Sequence, residues 1–473
     1  MSAAPVRTRF APSPTGALHL GNARTALFNW LFARRHGGRF LVRSEDTDAA
    51  RSDEDQLLRT LAALRWLGLE PDEGPEAGGP GGPYRQSERM ALYREHLEAL
   101  RAADSAYPCF CTRAELEEGR RRQLAAGRPP RYPGTCAGLS EAEREARRRA
   151  GREATLRFRV PGSGSVTFDD LVRGHQHHAC ADIGDFVIAR ADGVPAFFFA
   201  NAVDDALMGV THVLRGEDHL ANTPRQLLLL RALGLPAPRY GHFPLIVGGD
   251  GRPLSKRAGA ASLDALRVEG YRPEAVVNHL ARLGYRPEGE GLLAPEELAA
   301  GFSLGRVGRS GAQHDPQALE GWQRRAVEAL DPATLWSWID AHRPADAPRL
   351  PVAGEAFAAA VRPNVVLPGD AWTWARRLFD PAAEPDAEAA REIAAAGPPF
   401  FRAAAAVGEP APTTDFAAWA RAVGQATGTR GRGLYRPLRA ALTCAVHGPE
   451  LGAVVPLMPA SLVRERLRQC GAD

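Results

Sequence analysis

Residues 9–31 read RFAPSPTGALHLGNARTALFNWL, and the change of pattern inside this stretch decides the fold. Residues 6–10 read as a short strand. Residues 11–21 are a loop punctuated by Pro12, Pro14, Gly16 and Gly21. In residues 22–35 the apolar side chains Leu27, Phe28, Leu31 and Phe32 share one helical face. A strand, a glycine-containing loop and a helix start make an anion site, because unpaired backbone N–H groups and the helix dipole point out of it. Gly16 and Gly21 let the backbone come close to a ligand, and His19 can donate a hydrogen bond to a phosphate oxygen.

Working outward, residues 40–43 read as the next strand, with Glu45-Asp46-Thr47-Asp48 at its carboxyl end. Residues 52–67 form a second amphipathic helix carrying Leu57, Leu58, Leu61, Leu64 and Leu67. Strands alternating with helices predict a parallel, doubly wound sheet, whose ligands bind beyond the carboxyl ends of the strands. Residues 72–86, rich in glycine and proline, read as a linker. Residues 88–190 read as a mixed insertion, with a cysteine group, an arginine-rich helix at 141–153 and strands at 155–160 and 183–190. The α/β style returns at 196–240: an apolar run at 196–203, a strand at 210–215, and a helix with Asn222-Thr223 as cap and Pro224 at its first position. From residue 262 the pattern is mainly helical. The Ala/Pro-rich stretches at 341–353 and 380–412 read as loops or loosely packed helices. The fold class is therefore an α/β N-terminal half followed by an all-α C-terminal half.

The length of 473 residues predicts roughly three domains. Hydrophobic content of 44% and charged content of 24% are ordinary for a globular protein. No apolar run is long enough for a membrane span, and no signal peptide is evident, so cytoplasm is the expectation. Three of the six cysteines fall close together, which argues against a disulfide framework. The net charge of +3 does not by itself announce a nucleic-acid partner.

Of 59 basic residues, the only lysine is Lys256, in Pro253-Leu254-Ser255-Lys256-Arg257. Lysine is a compact point charge on a flexible stem, whereas arginine is a planar fork. A chain that uses arginine everywhere else has reason to keep one lysine where a point charge must reach a phosphate.

HxGx at His19 and SKR at 255–257, in one α/β chain, resemble the two signature motifs of class I aminoacyl-tRNA synthetases. The surrounding text narrows the resemblance: VRSEDTD at 42–48, GPYRQSER at 82–89, DDLVRG at 169–174, VDDALMGVTHVLRGEDHLANTPRQ at 203–226 and PLSKRAGA at 253–260. The chain is similar to bacterial glutamyl-tRNA synthetases through the catalytic half, and GTRGRGLYRPLRAALTCAVHGPELG at 428–452 resembles their C-terminal half.

The resemblance implies a Rossmann-like catalytic domain in two halves, 1–87 and 196–241. Between them, 88–195 would be an insertion that binds the tRNA acceptor end. Residues 242–315 would be a stem-contact region with the SKR loop, and 316–473 a helical anticodon-binding region. It implies ATP-dependent activation of L-glutamate and transfer to tRNA(Glu), with tRNA(Gln) left open as a second acceptor, by a monomer using Mg²⁺. His19, Gly21, Ser255, Lys256 and Arg257 would bind ATP, with His19 and Lys256 meeting the charge that develops on the phosphates. Arg9, Ala11, Ser13, Glu45, Phe197 and Arg215 would form the glutamate pocket: Arg215 for the side-chain carboxylate, Glu45 for the ammonium.

Two departures from the family pattern stand out. Phe197 occupies a position where tyrosine is common, and Pro253 replaces the first lysine of the signature loop. Cys109, Cys111, Tyr132 and Cys136 resemble the zinc knuckle of some family members, with Tyr132 an unusual fourth ligand; His175, His177 or His178 are alternatives to it. The arginines at 144–152 read first as a solvated helix face, and Arg430, Arg432 and Arg436 as candidates for anticodon contact. Two rival readings are the shortened relative that glutamylates queuosine in tRNA(Asp), which lacks such a helical tail, and an inactive tRNA-binding homologue.

Overall fold

The computed structural model describes residues 5–48, 52–254, 262–408 and 411–472; Ser255, Lys256 and Arg257 therefore lie outside the described residues. The chain forms two compact units, one of residues 1–264 with 277–315 and one of residues 265–276 with 316–473.

The first unit is built on a four-stranded parallel sheet. Strand β1 (Arg7–Phe10) leads through the loop into helix α1 (Leu20–Arg35), then β2 (Arg39–Val42) and helix α2 (Glu54–Trp66). Helix α1 is buried over most of its length, with Ala23, Ala26, Leu27, Phe28 and Leu31 sealed into the core. Arg34 and Arg35 sit in its last turn, where cations offset the dipole. After helix α3 (Met90–Ala102) the insertion contributes β3 (Ala106–Cys109), α4 (Arg113–Ala125), α5 (Glu141–Arg149), β4 (Thr155–Phe158), β5 (Ser165–Asp170), β6 (Gly174–Ala179), α6 (Cys180–Ile183) and β7 (Phe186–Ala189). Strands β3, β4 and β7 make one antiparallel sheet, and β5 pairs with β6 in a separate hairpin. The chain then returns through α7 (Phe197–Leu207), β8 (His212–Gly216), α8 (Thr223–Leu233) and β9 (Arg239–Phe243). The parallel order is β2–β1–β8–β9, so the winding reverses between β1 and β8. A crevice at that reversal, beyond the carboxyl ends of the strands, is where such sheets hold ligands.

Three details differ from the sequence reading. Residues 72–86 are an ordered cover for β2, the sheet edge, whose open N–H and C=O groups need partners. The Val42 N–H donates to Glu73 O at 2.9 Å and the Ser44 N–H to Tyr84 O at 2.9 Å, while buried Glu73 accepts from Arg7 and from the Tyr84 hydroxyl. Asn222 makes no side-chain cap, because a 3-10 turn over Glu217–Asn222 runs directly into α8 and leaves its backbone already helical. The hairpin β5–β6 falls between the two strands expected at 155–160 and 183–190.

The second unit is helical. Its core joins Trp338, Phe357, Trp372, Phe401, Trp419 and Leu438, among others. Within the stretch at 380–412, residues 387–406 are better packed than the composition suggested. A helix over Ala387–Ala406 is broken at Gly397, which adopts φ 73°, and restarts through Pro398 and Pro399. That restart delivers Phe400 and Phe401 into the core.

Candidate active site

The carboxyl ends of β1, β2 and β8 converge on a cleft of about 350 Å³ lined by Arg9, Ala11, Ser13, His19, Gly21, Glu45, Phe197 and Arg215, and by Asn201 and His219. Each glutamate and phosphate residue named from the sequence lines this one cleft, apart from those of the SKR loop. The flanks of that loop are fixed beside it: Leu254 N–H donates to Ile246 O at 2.9 Å, and Ser262 bridges His19.

His19 caps α1, its Nδ1 accepting from the Asn22 N–H at 3.4 Å. That leaves Nε2 as the ring's N–H donor. A Cβ on Gly21 would stand 3.2 Å from the His19 ring, so glycine there lets the imidazole lie across the helix start.

Beneath the cleft lies a lattice of buried charge. Arg43, fully enclosed, donates to Asp205 Oδ1 at 2.8 Å and to Glu45 Oε1 at 3.4 Å. Arg9 Nε donates to the same Asp205 oxygen at 3.1 Å. Asp204 accepts from Arg89 at 2.6 Å, Tyr93 at 2.7 Å and Gln86 at 2.8 Å. Burial opposes ionisation of Asp205, but Arg9 and Arg43 outweigh it and hold its carboxyl below the usual range. For Glu45 burial wins: its pKa is raised despite Arg43, Arg9 and a hydrogen bond from Asn201.

Arg215 differs from these arginines. It is buried, yet among the described residues it touches no carboxylate. Its Nε donates to His242 Nε2 at 3.1 Å, and its Nη2 to Gln226 Oε1 at 2.7 Å and Thr223 Oγ1 at 2.9 Å. Its Nη1, though buried, has no hydrogen-bond partner among the described residues. Burial pushes the guanidinium down to about 10. An unpaired buried cation costs several kcal/mol, roughly, unless an anion completes it. Gln226 Nε2 passes a hydrogen bond to Asn201 Oδ1 at 3.0 Å, and Asn201 donates to Glu45. A continuous amide chain therefore joins the two charged ends of the cleft.

Phe197 opens α7 and is 38% exposed, its ring stacked on His219 at 5.4 Å. As a phenylalanine it carries no hydroxyl of its own at the ring edge.

The sequence reading gave no role to Arg43, Asn201, Asp204, Asp205, Gln226, His242 or Asp170. One signal was present: two adjacent acids, Asp204 and Asp205, follow the apolar run FFFANAV, and acids on a buried helix require cations.

In the insertion, the Cys109, Cys111 and Cys136 sulfurs all lie within 4.8 Å of one another. Tyr132 Oη is 3.3 Å from Cys109 Sγ and 3.6 Å from Cys111 Sγ. Burial, with the neighbouring Cys109 and Cys136 sulfurs and against a Tyr132 hydrogen bond, pushes the Cys111 thiol up to about 12. A bound cation would relieve that crowding of sulfurs, and three sulfurs with one oxygen fit a tetrahedral zinc donor set. Among the described residues no histidine joins them; His175 pairs with Asp169 at 2.9 Å and His178 stacks on Phe168.

The family description "tRNA synthetases class I (E and Q), catalytic domain" matches residues 5–321. A protein of Alkalilimnicola ehrlichii named glutamate–tRNA ligase 2 is 57% identical, the match covering 98% of this chain and 97% of that one. One of the same name from Nitrosococcus oceani is 54% identical, with 99% of each covered. The crystal structure of a glutamate–tRNA synthetase from Elizabethkingia anophelis superposes with a TM-score of 0.86 at 27% identity, covering 98% of this chain and 99% of that one.

Proposed function

The chain belongs to the class I tRNA synthetases of the glutamate and glutamine branch, and we propose that it is a glutamate–tRNA ligase whose amino acid site is the cleft at the reversal of the sheet. Use of ATP and Mg²⁺ goes with class I membership. The α-carboxylate of L-glutamate attacks the α-phosphate of ATP, giving glutamyl-adenylate and releasing pyrophosphate. A hydroxyl of the 3′-terminal ribose of tRNA(Glu) then takes the glutamyl group and AMP leaves.

The observation that carries the glutamate assignment is Arg215, buried and, among the described residues, without a carboxylate and with Nη1 uncommitted. A substrate side-chain carboxylate neutralises it; the amide of glutamine leaves the charge unpaired, which supports selection of the acid. Glu45, whose ionisation burial disfavours, receives the substrate ammonium, and that cation restores its charge. Arg9 and Ser13 lie along the cleft for the α-carboxylate, and Ala11 contributes backbone. Phe197 packs against the substrate's aliphatic part.

His19 Nε2–H meets the triphosphate, and Lys256, with Ser255 and Arg257, brings the second charge from the SKR loop. Displacement at phosphorus needs positioning and charge neutralisation more than proton transfer. Cys109, Cys111, Cys136 and Tyr132 would hold a structural zinc, which would tie β3 to the loop after α4. We assign residues 88–195 to the acceptor end and 316–473 to the anticodon. Among the described residues no helix is long and apolar enough to cross a membrane.

Charging of purified tRNA(Glu) and tRNA(Gln), side by side with ATP, Mg²⁺ and labelled glutamate, tests this reading. Glutamylation of tRNA(Glu) supports it, and labelling of tRNA(Gln) as well would mean relaxed anticodon choice. Labelling of neither, with tRNA binding retained, would favour an inactive homologue.

A further inference from the structure

Arg215 and His242 are direct partners in the register of β8 and β9. A guanidinium can only donate, so the Nε contact at 3.1 Å makes His242 Nε2 the acceptor. Thr223 Oγ1 lies 3.2 Å from the same Nε2 while accepting from Arg215 Nη2 at 2.9 Å, so its own proton is also free to point at the ring. With two donors aimed at Nε2, the ring proton belongs on Nδ1. That nitrogen is 2.5 Å from Asp170 Oδ2. Asp170 is itself fixed by backbone N–H groups of Arg173 at 2.8 Å, Val172 at 3.0 Å and His242 at 3.1 Å. Both Asp170 and His242 are fully enclosed, and neither lines the cleft.

We propose that Asp170 and His242 are positioning residues for amino acid recognition: Asp170 sets the tautomer of His242, and His242 aims the Arg215 guanidinium so that Nη1 faces the substrate side-chain carboxylate. The inference rests on the assignment of Arg215 above. The orientation is set from outside the parallel sheet, because Asp170 ends β5 of the insertion hairpin. Gln226 and Thr223 hold the Nη2 side of the fork and His242 the Nε side, which among the described residues leaves Nη1 for the ligand. A His242 carrying both protons would turn an N–H and a second positive charge on Arg215, so the relay works only with the imidazole neutral.

Asp170→Asn is the sharp test. In either orientation the carboxamide sets an N–H against a donor, the His242 Nδ1–H or the backbone N–H groups. The ring is then driven to the wrong tautomer with little change of shape. Pyrophosphate exchange with tRNA present reads KM for glutamate and for ATP separately. The expected result is a rise of about tenfold or more in KM for glutamate, the loss of one hydrogen bond to a charged group, with KM for ATP within about twofold. His242→Leu behaves likewise. His242→Gln, whose carboxamide oxygen reaches the Nε2 position and accepts from Arg215, recovers most of the loss. If Asp170→Asn does not fold, the difference between His242→Gln and His242→Leu decides.

An unchanged KM for glutamate in Asp170→Asn and His242→Leu, or equal rises for both substrates, overturns the proposal. Arg215→Ala separates the two levels. If it leaves KM for glutamate unchanged, the glutamate assignment itself fails. If it raises KM while the Asp170 and His242 variants do not, only the positioning role fails.

Discussion

Gln226 accepts a hydrogen bond from Arg215 Nη2 at 2.7 Å and hands one on to Asn201 at 3.0 Å. Asn201 in turn donates to Glu45. The group assigned to the substrate carboxylate and the group assigned to its ammonium are thus held at a fixed span by two amides. Gln226→Leu breaks the span and leaves two buried groups short of a partner. KM for glutamate should rise about 10- to 100-fold, from the loss of hydrogen bonding to a charged group. Discrimination against aspartate, read from the ratio of kcat/KM for the two amino acids, should fall with it. Unchanged values for both would show that the span is set elsewhere.

Phe197 offers the cleft a bare ring where the family commonly has a hydroxyl. Phe197→Tyr adds that donor at the mouth of α7 with no change in the stacking partner His219. A new hydrogen bond to a charged ligand is worth about 1.5 kcal/mol at the low end, so KM for glutamate should drop by about tenfold or more. A higher KM would mean that this ring edge is already taken up by packing.

The sulfur cluster predicts about one zinc ion per chain in metal analysis of protein purified without chelator. Cys136→Ser should lose it and lower the melting temperature, since metal binding is coupled to local folding. Glutamate affinity should hold, because the sulfurs do not line the amino acid cleft. A metal-free protein with unaltered melting would leave the cluster as packed thiols.

Acid should weaken the fold through its buried histidines. Burial, with Arg215 alongside and Asp170 opposing, pushes His242 down to about 4 from an ordinary 6.5. Between those values the unfolded chain binds a proton that the folded chain refuses. The stabilisation is complete above pH 6.5 and is lost as pH falls toward 4. One such group contributes a slope of up to about 1.4 kcal/mol per pH unit. His212 and His279, also pushed to about 4 mainly by burial, add to it. Urea unfolding across this window should show a shallower slope for His242→Gln than for the parent; equal slopes would place the proton elsewhere.

Much of the site was legible because its motifs sit at strand ends. His19, Glu45 and Arg215 follow β1, follow β2 and close β8, which is where parallel sheets present ligand groups. What lay beneath was harder to read. Arg43 and Asp205 are far apart in sequence and meet only once the fold brings α7 to the residue that follows β2, and a single sequence carries no record of that pairing. His242 is one of 13 histidines, and nothing local separates it from the others until β8 and β9 fix their register. Residues 72–86 misled through composition: glycine and proline signal turns, but buried Glu73 and Tyr84 show that turns can also seal a sheet edge.

Calorimetric titration of L-glutamate and of L-glutamine into the parent and into Arg215→Gln is the most direct measurement. The parent should bind glutamate and reject glutamine. Arg215→Gln should lose about 100-fold or more in glutamate affinity, the scale expected when a buried charge loses its partner, and narrow the gap between the two ligands. Full glutamate affinity in Arg215→Gln would contradict the assignment of this guanidinium to the substrate side chain.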